Sequence, residues 1–136
     1  MKEEEALRLV NSFNFSADKA YPLKNEASGR VYWRATNQSE SIILCFLDPS
    51  LGNHNKFIDI SEQLLANDIS GVKVLHHDEK LGITIQNDLG DNDLLKVLDE
   101  NNKRELLNKS LDLLIDIQNI QFDNIDKFKS EDLKEQ

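Results

Sequence analysis

A chain of 136 residues with 16 Lys and Arg against 25 Asp and Glu carries a formal charge of −9. The length supports one domain, or one with a small appendage, with a sizeable core, and the charge argues against a general nucleic-acid binder or a binder of acidic membranes, both of which need a basic face. The single cysteine, Cys45, sits in an apolar run and reads as a small core residue. It can form no intrachain disulfide, which fits a reducing compartment. The opening MKEEEALRLV is too charged for a signal peptide, and no apolar run approaches the ~20 residues of a membrane span, so the expected location is the cytoplasm.

Residues 3–13 place Ala6, Leu9, Val10 and Phe13 at helical spacing, with Glu3, Glu4 and Glu5 in the first turn, where the helix dipole favours acids. Tyr21 to Glu26 is expected as an edge strand, since Pro22 cannot donate to a ladder on both sides. Ala27, Ser28 and Gly29 form a small-residue turn. Arg30 to Thr36 alternates, with Val31, Trp33 and Ala35 on one face and Arg30, Tyr32 and Arg34 on the other, so the two segments read as a hairpin. Trp33 is expected in the core. Asn37 to Glu40 is a second turn. Ser41 to Leu47 is almost continuously apolar, the pattern of a strand buried on both faces. Asp48, Pro49, Ser50 and Gly52 end it.

Asn53 is placed to cap a helix over 54–67, in which Phe57, Ile60, Leu64 and Leu65 make one stripe. His54 is expected as a cap or surface residue. Val72 to His77 and Leu81 to Gln86 are expected as an antiparallel pair. His76, His77, Asp78 and Glu79 read as a solvated tight turn rather than a metal site, because adjacent strand residues point to opposite faces. Asn87, Asp88, Gly90, Asp91 and Asn92 stop the last strand, and with Asp93 they suit turns and helix caps rather than a calcium loop. Helices are predicted near 92–100 and 102–120. The second is apolar on two sides, with Leu107, Leu111 and Leu114 on one and Leu106, Leu113, Ile117 and Ile120 on the other. Asp112 and Asp116 read as a solvated face, and Ser130 to Gln136 as a polar tail. The sum is an α+β fold: a five-stranded antiparallel sheet with one crossing helix, then a C-terminal helical hairpin. The sheet is expected to put one face on the crossing helix and leave the other partly open.

The segment EASGRVYWR, Glu26 to Arg34, resembles the phosphate-side loop of the anomeric N-acetylmuramate/N-acetylglucosamine kinases, within the aminoglycoside phosphotransferase and protein-kinase-like superfamily. That loop reads roughly DAS-x-R-x-Y-x-R; Ala27, Ser28, Arg30, Tyr32 and Arg34 match, and Glu26 replaces Asp. Phe57 to Asp91 is similar to the family's helix, two strands and hinge. The hinge there ends in a glutamate-Asp-Leu-Gly-Asp run, here Asn87, Asp88, Leu89, Gly90 and Asp91. ILCFLDPS is similar to a segment ending in Met-Asp-Ala-Pro-Pro, and Leu111 to Phe128 looks like the first large-lobe helices. The resemblance implies a small lobe over residues 1–90, the start of a large lobe over 91–128 and a tail over 129–136.

It further implies ATP with Mg²⁺ as cofactor. Adenine would meet the backbone at Asn87, Asp88 and Leu89, while Ala27, Ser28, Gly29 and Arg30 would cover the phosphates, with Arg30 or Arg34 adding positive charge. The family's catalytic loop, a His-x-Asp…Asn run on the large lobe, has no counterpart here, and Cys45 stands where many kinases carry a phosphate-holding lysine. The expectation is a nucleotide binder at most, without catalytic residues or metal ligands of its own. Its partner would be a missing large lobe, a second polypeptide or a second copy, held through 92–120. The alternative is a noncatalytic interaction module.

Overall fold

The computed structural model describes residues 1–24 and 29–120. Helix α1 covers Glu3–Asn11, strand β1 Lys19–Pro22, β2 Val31–Thr36 and β3 Ser41–Phe46; helix α2, Asn55–Ala66, is followed by β4 Val74–Asp78 and β5 Ile83–Asn87. Helices α3, Leu94–Val97, and α4, Lys103–Gln118, complete the described chain. The five strands form one antiparallel sheet in the order β1-β2-β3-β5-β4. The fold is α+β, as the alternation and helical spacing predict.

The chain divides into two compact units, Met1–Ser61 with Val72–Leu89 and Glu62–Gly71 with Gly90–Gln136. The first holds the sheet. Its register sets Trp33 opposite Leu44 and Leu44 opposite Ile85, with Ala35 opposite Ile42 and Phe46 opposite Ile83. These side chains share one face and form the core with Ala6 and Val10 of α1 and Ala20 of β1. Trp33 is therefore a core residue, as expected.

The helix that closes this face is α1, not the crossing helix. The core cluster takes no residue from α2, whose sole buried position is Ser61. Phe57, Ile60 and Leu65 of the predicted apolar stripe stay exposed. Helix α2 is instead fastened by polar groups, among them the Ser61 hydroxyl on the Val72 carbonyl. The second sheet face is not open either. Arg34, Ile43, Cys45, Thr84 and Gln86 are all buried, so β3 is covered on both sides, as its unbroken apolar run predicts.

The edge strand is shifted from the expected Tyr21–Glu26. Ala20 is small enough to lie under α1, and pairing Lys19 with Thr36 through Pro22 with Trp33 brings it opposite Ala35. Residues 25 and 26 lie outside the described residues. Pro22 does end an edge strand. The asparagine-rich surroundings lock the approach: Asn11 exchanges two hydrogen bonds with the Ala17 backbone, and Asn37 donates to the Ser16 carbonyl.

In the second unit the predicted helix near 92–100 is a single turn, α3, capped by the Asp93 carboxylate on the Lys96 amide. Asp99 and Asn102 break it by bonding the backbone around them. Helix α4 runs for 16 residues and buries none of them.

Candidate functional site

The two stretches singled out by resemblance lie in the first unit, at opposite ends of its strands. Val31, at the start of β2, shares a rung with Phe46 and Ile83, whereas Asn87 shares one with Ile42 and Ala35. Four residues of strand separate these rungs, about 13 Å at a rise of ~3.3 Å per residue. Gly29 and Arg30 lie just beyond the first rung, and Asp88 and Leu89 beyond the second. Ala27 and Ser28 fall outside the described residues.

At the exit of β5, Asn87 is committed to the sheet edge. Its amide donates to the Lys73 carbonyl at 3.1 Å, and its side-chain oxygen accepts from the Lys73 amide at 2.7 Å. Asp88 does more than shape a turn. The Arg34 guanidinium grips its carboxylate with two bonds, Nε to Oδ2 at 2.6 Å and Nη2 to Oδ1 at 2.9 Å, and the Ser41 hydroxyl donates to Oδ2. Both side chains are 9% exposed. Arg34 stands ahead of the turn into β3 and Asp88 just past β5, so three consecutive strands of the sheet are tied at this end. A fork of this kind is short, charge-assisted and geometrically fixed. Arg34 and Asp88 were each expected as ligand contacts in different roles; the fold brings them together and points them at each other. Leu89, by contrast, is 64% exposed.

At the other end, Gly29 adopts a left-handed backbone, with φ 76°, and lies against Leu47 and Leu51. Arg30 donates from Nη2 to the Asn53 carbonyl at 3.2 Å. Asn53 accepts the Asn55 amide on its side chain, but α2 begins at Asn55 and its first turn closes on the His54 carbonyl, so the cap position expected for Asn53 falls to His54. The loop between β3 and α2 is held by Asp48, whose carboxylate accepts the Ser50 amide and hydroxyl; these bonds hold its carboxyl below the ordinary value.

His54 stands at the cap position expected for it, but it is not a surface residue. It is 5% exposed, and its Nε2 lies 2.9 Å from the Gly82 carbonyl. Burial pushes its pKa down, the Gly82 bond works against that, and Arg30 and His77 add to the lowering. Because a carbonyl can only accept, Nε2 carries the hydrogen of this bond. Gly82 packs closely on the end of β3 because it lacks a side chain: with φ at 70°, a Cβ there would stand 2.0 Å from the Leu47 carbonyl oxygen. No local pattern in the sequence announces the contact of His54 with Gly82, because the partners are 28 residues apart.

Between the two ends, the second sheet face carries polar side chains. Tyr32, Cys45, Thr84 and His77 form one rung across four strands, and Arg34, Ile43, Gln86 and Val74 form the next. Burial raises the Cys45 thiol, while Tyr32 and Thr84 side chains and the Arg30 charge oppose the rise. The thiol is the inert, protonated form expected of a core cysteine. Thr84 is fully buried, and its hydroxyl makes no standard hydrogen bond; its contact to the Cys45 sulfur is a weak one.

His76, His77 and Asp78 lie on β4 itself rather than in the turn after it, and the two histidines pair with successive residues of β5, so they face opposite ways. His76 stacks on Phe13, with ring centroids 5.3 Å apart. Among the described residues no three His, Cys, Asp or Glu side chains converge as metal ligands, and no helix is long and apolar enough to cross a membrane. Set against models of known protein families and against curated proteins, the chain matches none.

Proposed function

We propose that this chain is a small lobe of an aminoglycoside-phosphotransferase-like sugar kinase, with the beginning of a large lobe, and that it contacts ATP without catalysing transfer. The observation that carries the reading is the arrangement of the sheet unit. A three-strand meander, a crossing helix and a final strand pair come in the order the resemblance implies, and the last strand lies beside β3. The hairpin tip at Gly29 and Arg30 and the bend at Asp88 and Leu89 then stand a few strand residues apart, as the phosphate and adenine ends of one extended nucleotide would.

The geometry reassigns two side chains within this reading. Arg34 is taken by Asp88, so Arg30 is the arginine left to meet phosphate. Asn87 has its amide engaged with Lys73, so the Leu89 backbone, on the exposed bend, is the part that would read an adenine edge. Phosphoryl transfer needs an acidic base and Mg²⁺ ligands around the γ-phosphate. The sequence beyond Asp91 contains no histidine for a His-x-Asp loop. Mg²⁺ would therefore arrive with ATP rather than through this chain's own ligands.

Thermal denaturation with increasing ATP tests the reading. Tm rises with nucleotide in the millimolar range, because a ligand that binds only the folded state stabilises it by mass action. Amino sugars incubated with the chain, ATP and Mg²⁺ yield no phosphorylated product. An unchanged Tm up to about 10 mM ATP overturns the nucleotide assignment, and turnover overturns the claim that the chain is inactive alone.

A second reading is favoured by one separate observation: α4 buries no residue, and Leu111, Leu114 and Ile115 are 58%, 50% and 52% exposed. An apolar helix face of this kind suits association with another chain. Under this reading the protein is an interaction module, and sedimentation shows mass rising with concentration. A strict monomer at the highest concentration removes it.

A further inference from the structure

We propose that the cavity on the α1 side of the sheet, where β3 begins and β5 ends, binds a small organic amine: an apolar ring seated between Phe15, Ile42 and Leu75, with its ammonium group at Glu40. Whether the chain contacts ATP has no bearing on this site.

The cavity measures about 430 Å³ and is lined by Phe15, Glu40, Ser41, Ile42, Leu75 and Asn87. All six belong to the sheet unit. Small-molecule sites commonly span ~300–1,000 Å³ and join an apolar wall to a few polar groups, and this cavity does both.

The apolar wall follows from the fold. Ile42 is a core residue, and Phe15, from the segment between α1 and β1, packs on the same core. Leu75 is brought in by an irregularity of β4. Val74 pairs with Gln86 and His76 with Ile85, so Leu75 is the extra residue of a β-bulge. A bulge re-aims the side chains beside it. Here His76 turns to the α1 side and stacks on Phe13, and Leu75 lines the cavity while staying 41% exposed. An apolar side chain that lines a cavity and still meets water gains by being covered.

The polar groups define what the ligand carries. Ser41 gives its hydroxyl hydrogen to Asp88, and Arg34 grips the same carboxylate, so the Asp88 charge is already met. Asn87 accepts the Lys73 amide on its side-chain oxygen, which fixes the orientation of the side-chain amide and leaves Nδ2–H to donate. Glu40 is an exposed member of the lining. Its backbone is locked by Asn37, whose side chain accepts the Glu40 amide at 2.8 Å and whose amide donates to the Glu40 carbonyl at 3.0 Å. Its carboxylate pairs with no Lys, Arg or His among the described residues. The site thus offers a positioned negative charge, an N–H donor and an apolar wall. It suits a cationic head on an apolar ring that also bears an acceptor oxygen, and the chain's charge of −9 favours the approach of a cation.

NMR titration of the full chain tests the site with tyramine, which has the ring, the ammonium and a phenol oxygen. The comparison compound is 3-(4-hydroxyphenyl)propionate, which keeps the ring and phenol but carries a carboxylate in place of the ammonium. Tyramine shifts the methyl signals of Ile42 and Leu75 and the side-chain amide of Asn87, with saturation in the millimolar range. The propionate binds about tenfold more weakly or not at all. Glu40→Gln weakens tyramine about threefold or more, the scale of a solvent-facing ion pair, whereas Glu79→Gln, on the turn between β4 and β5, leaves its binding unchanged. The Glu40 side chain makes no bond that holds the fold, and the comparison of the two compounds on the wild type needs no variant at all. No saturable shift up to about 10 mM tyramine overturns the proposal. So do equal binding of the two compounds, shifts confined to residues outside the cavity, and equal responses of Glu40→Gln and Glu79→Gln.

Discussion

The sheet unit and helix α4 are both rich in apolar residues, yet they treat them in opposite ways. In the sheet, Leu44 and Ile83 are fully buried and Ile85 is 1% exposed. In α4, no residue is buried and Leu111 is 58% exposed. The contrast teaches that an apolar stripe records a helix's capacity to pack, not whether the same chain supplies the cover. In the sheet, the cover comes from α1, whose Ala6 and Val10 sit directly in the core. The sheet is also tied by side chains distant in sequence, Arg34 with Asp88 and His54 with Gly82, whereas α4 carries an ion pair of Lys109 with Glu105, one turn away and 69% exposed on both sides.

The comparison is broken most severely at Arg34. Arg34→Ala leaves the Asp88 carboxylate buried without its charged partner, and unfolding of the sheet in urea should show a loss of about 3–5 kcal/mol. A loss below about 1 kcal/mol would mean that solvent reaches Asp88 and that the fork fixes nothing.

Truncation of apolar side chains sharpens the same contrast at smaller scale. Leu44→Ala should cost about 2–5 kcal/mol, since it opens a cavity in a packed core. Leu111→Ala should stay within about 0.5 kcal/mol in the monomer, as substitutions at exposed sites do. Equal costs at the two positions, measured at low protein concentration, would show that α4 is covered in solution.

The sheet was legible because its strands announce themselves locally. Val31, Trp33 and Ala35 alternate with polar neighbours, and Ile42 to Cys45 run without a polar break, so face and depth follow from side-chain chemistry. The edge strand was misplaced because its signal is a single small residue, Ala20, whose burial depends on α1. The short helix α3 was overestimated because Leu94, Leu95 and Val97 suggest propagation, while Asp99 and Asn102 spend their side chains on the backbone instead. Of the candidate site, Gly29 was legible as a turn residue. The fork of Arg34 on Asp88 spans 54 positions and has no local signature.

The sequence by itself determined the element types, the antiparallel pairing and the core positions of the central strands, because side-chain period and turn chemistry are local properties. Only the tertiary structure decided which helix covers the sheet, that Arg34 and Asp88 neutralise one another, and that His54 is buried on a glycine carbonyl. Each of these depends on groups far apart in the chain meeting in a dry, crowded place, where a charge or a hydrogen bond takes its value from partners that no local window of sequence contains.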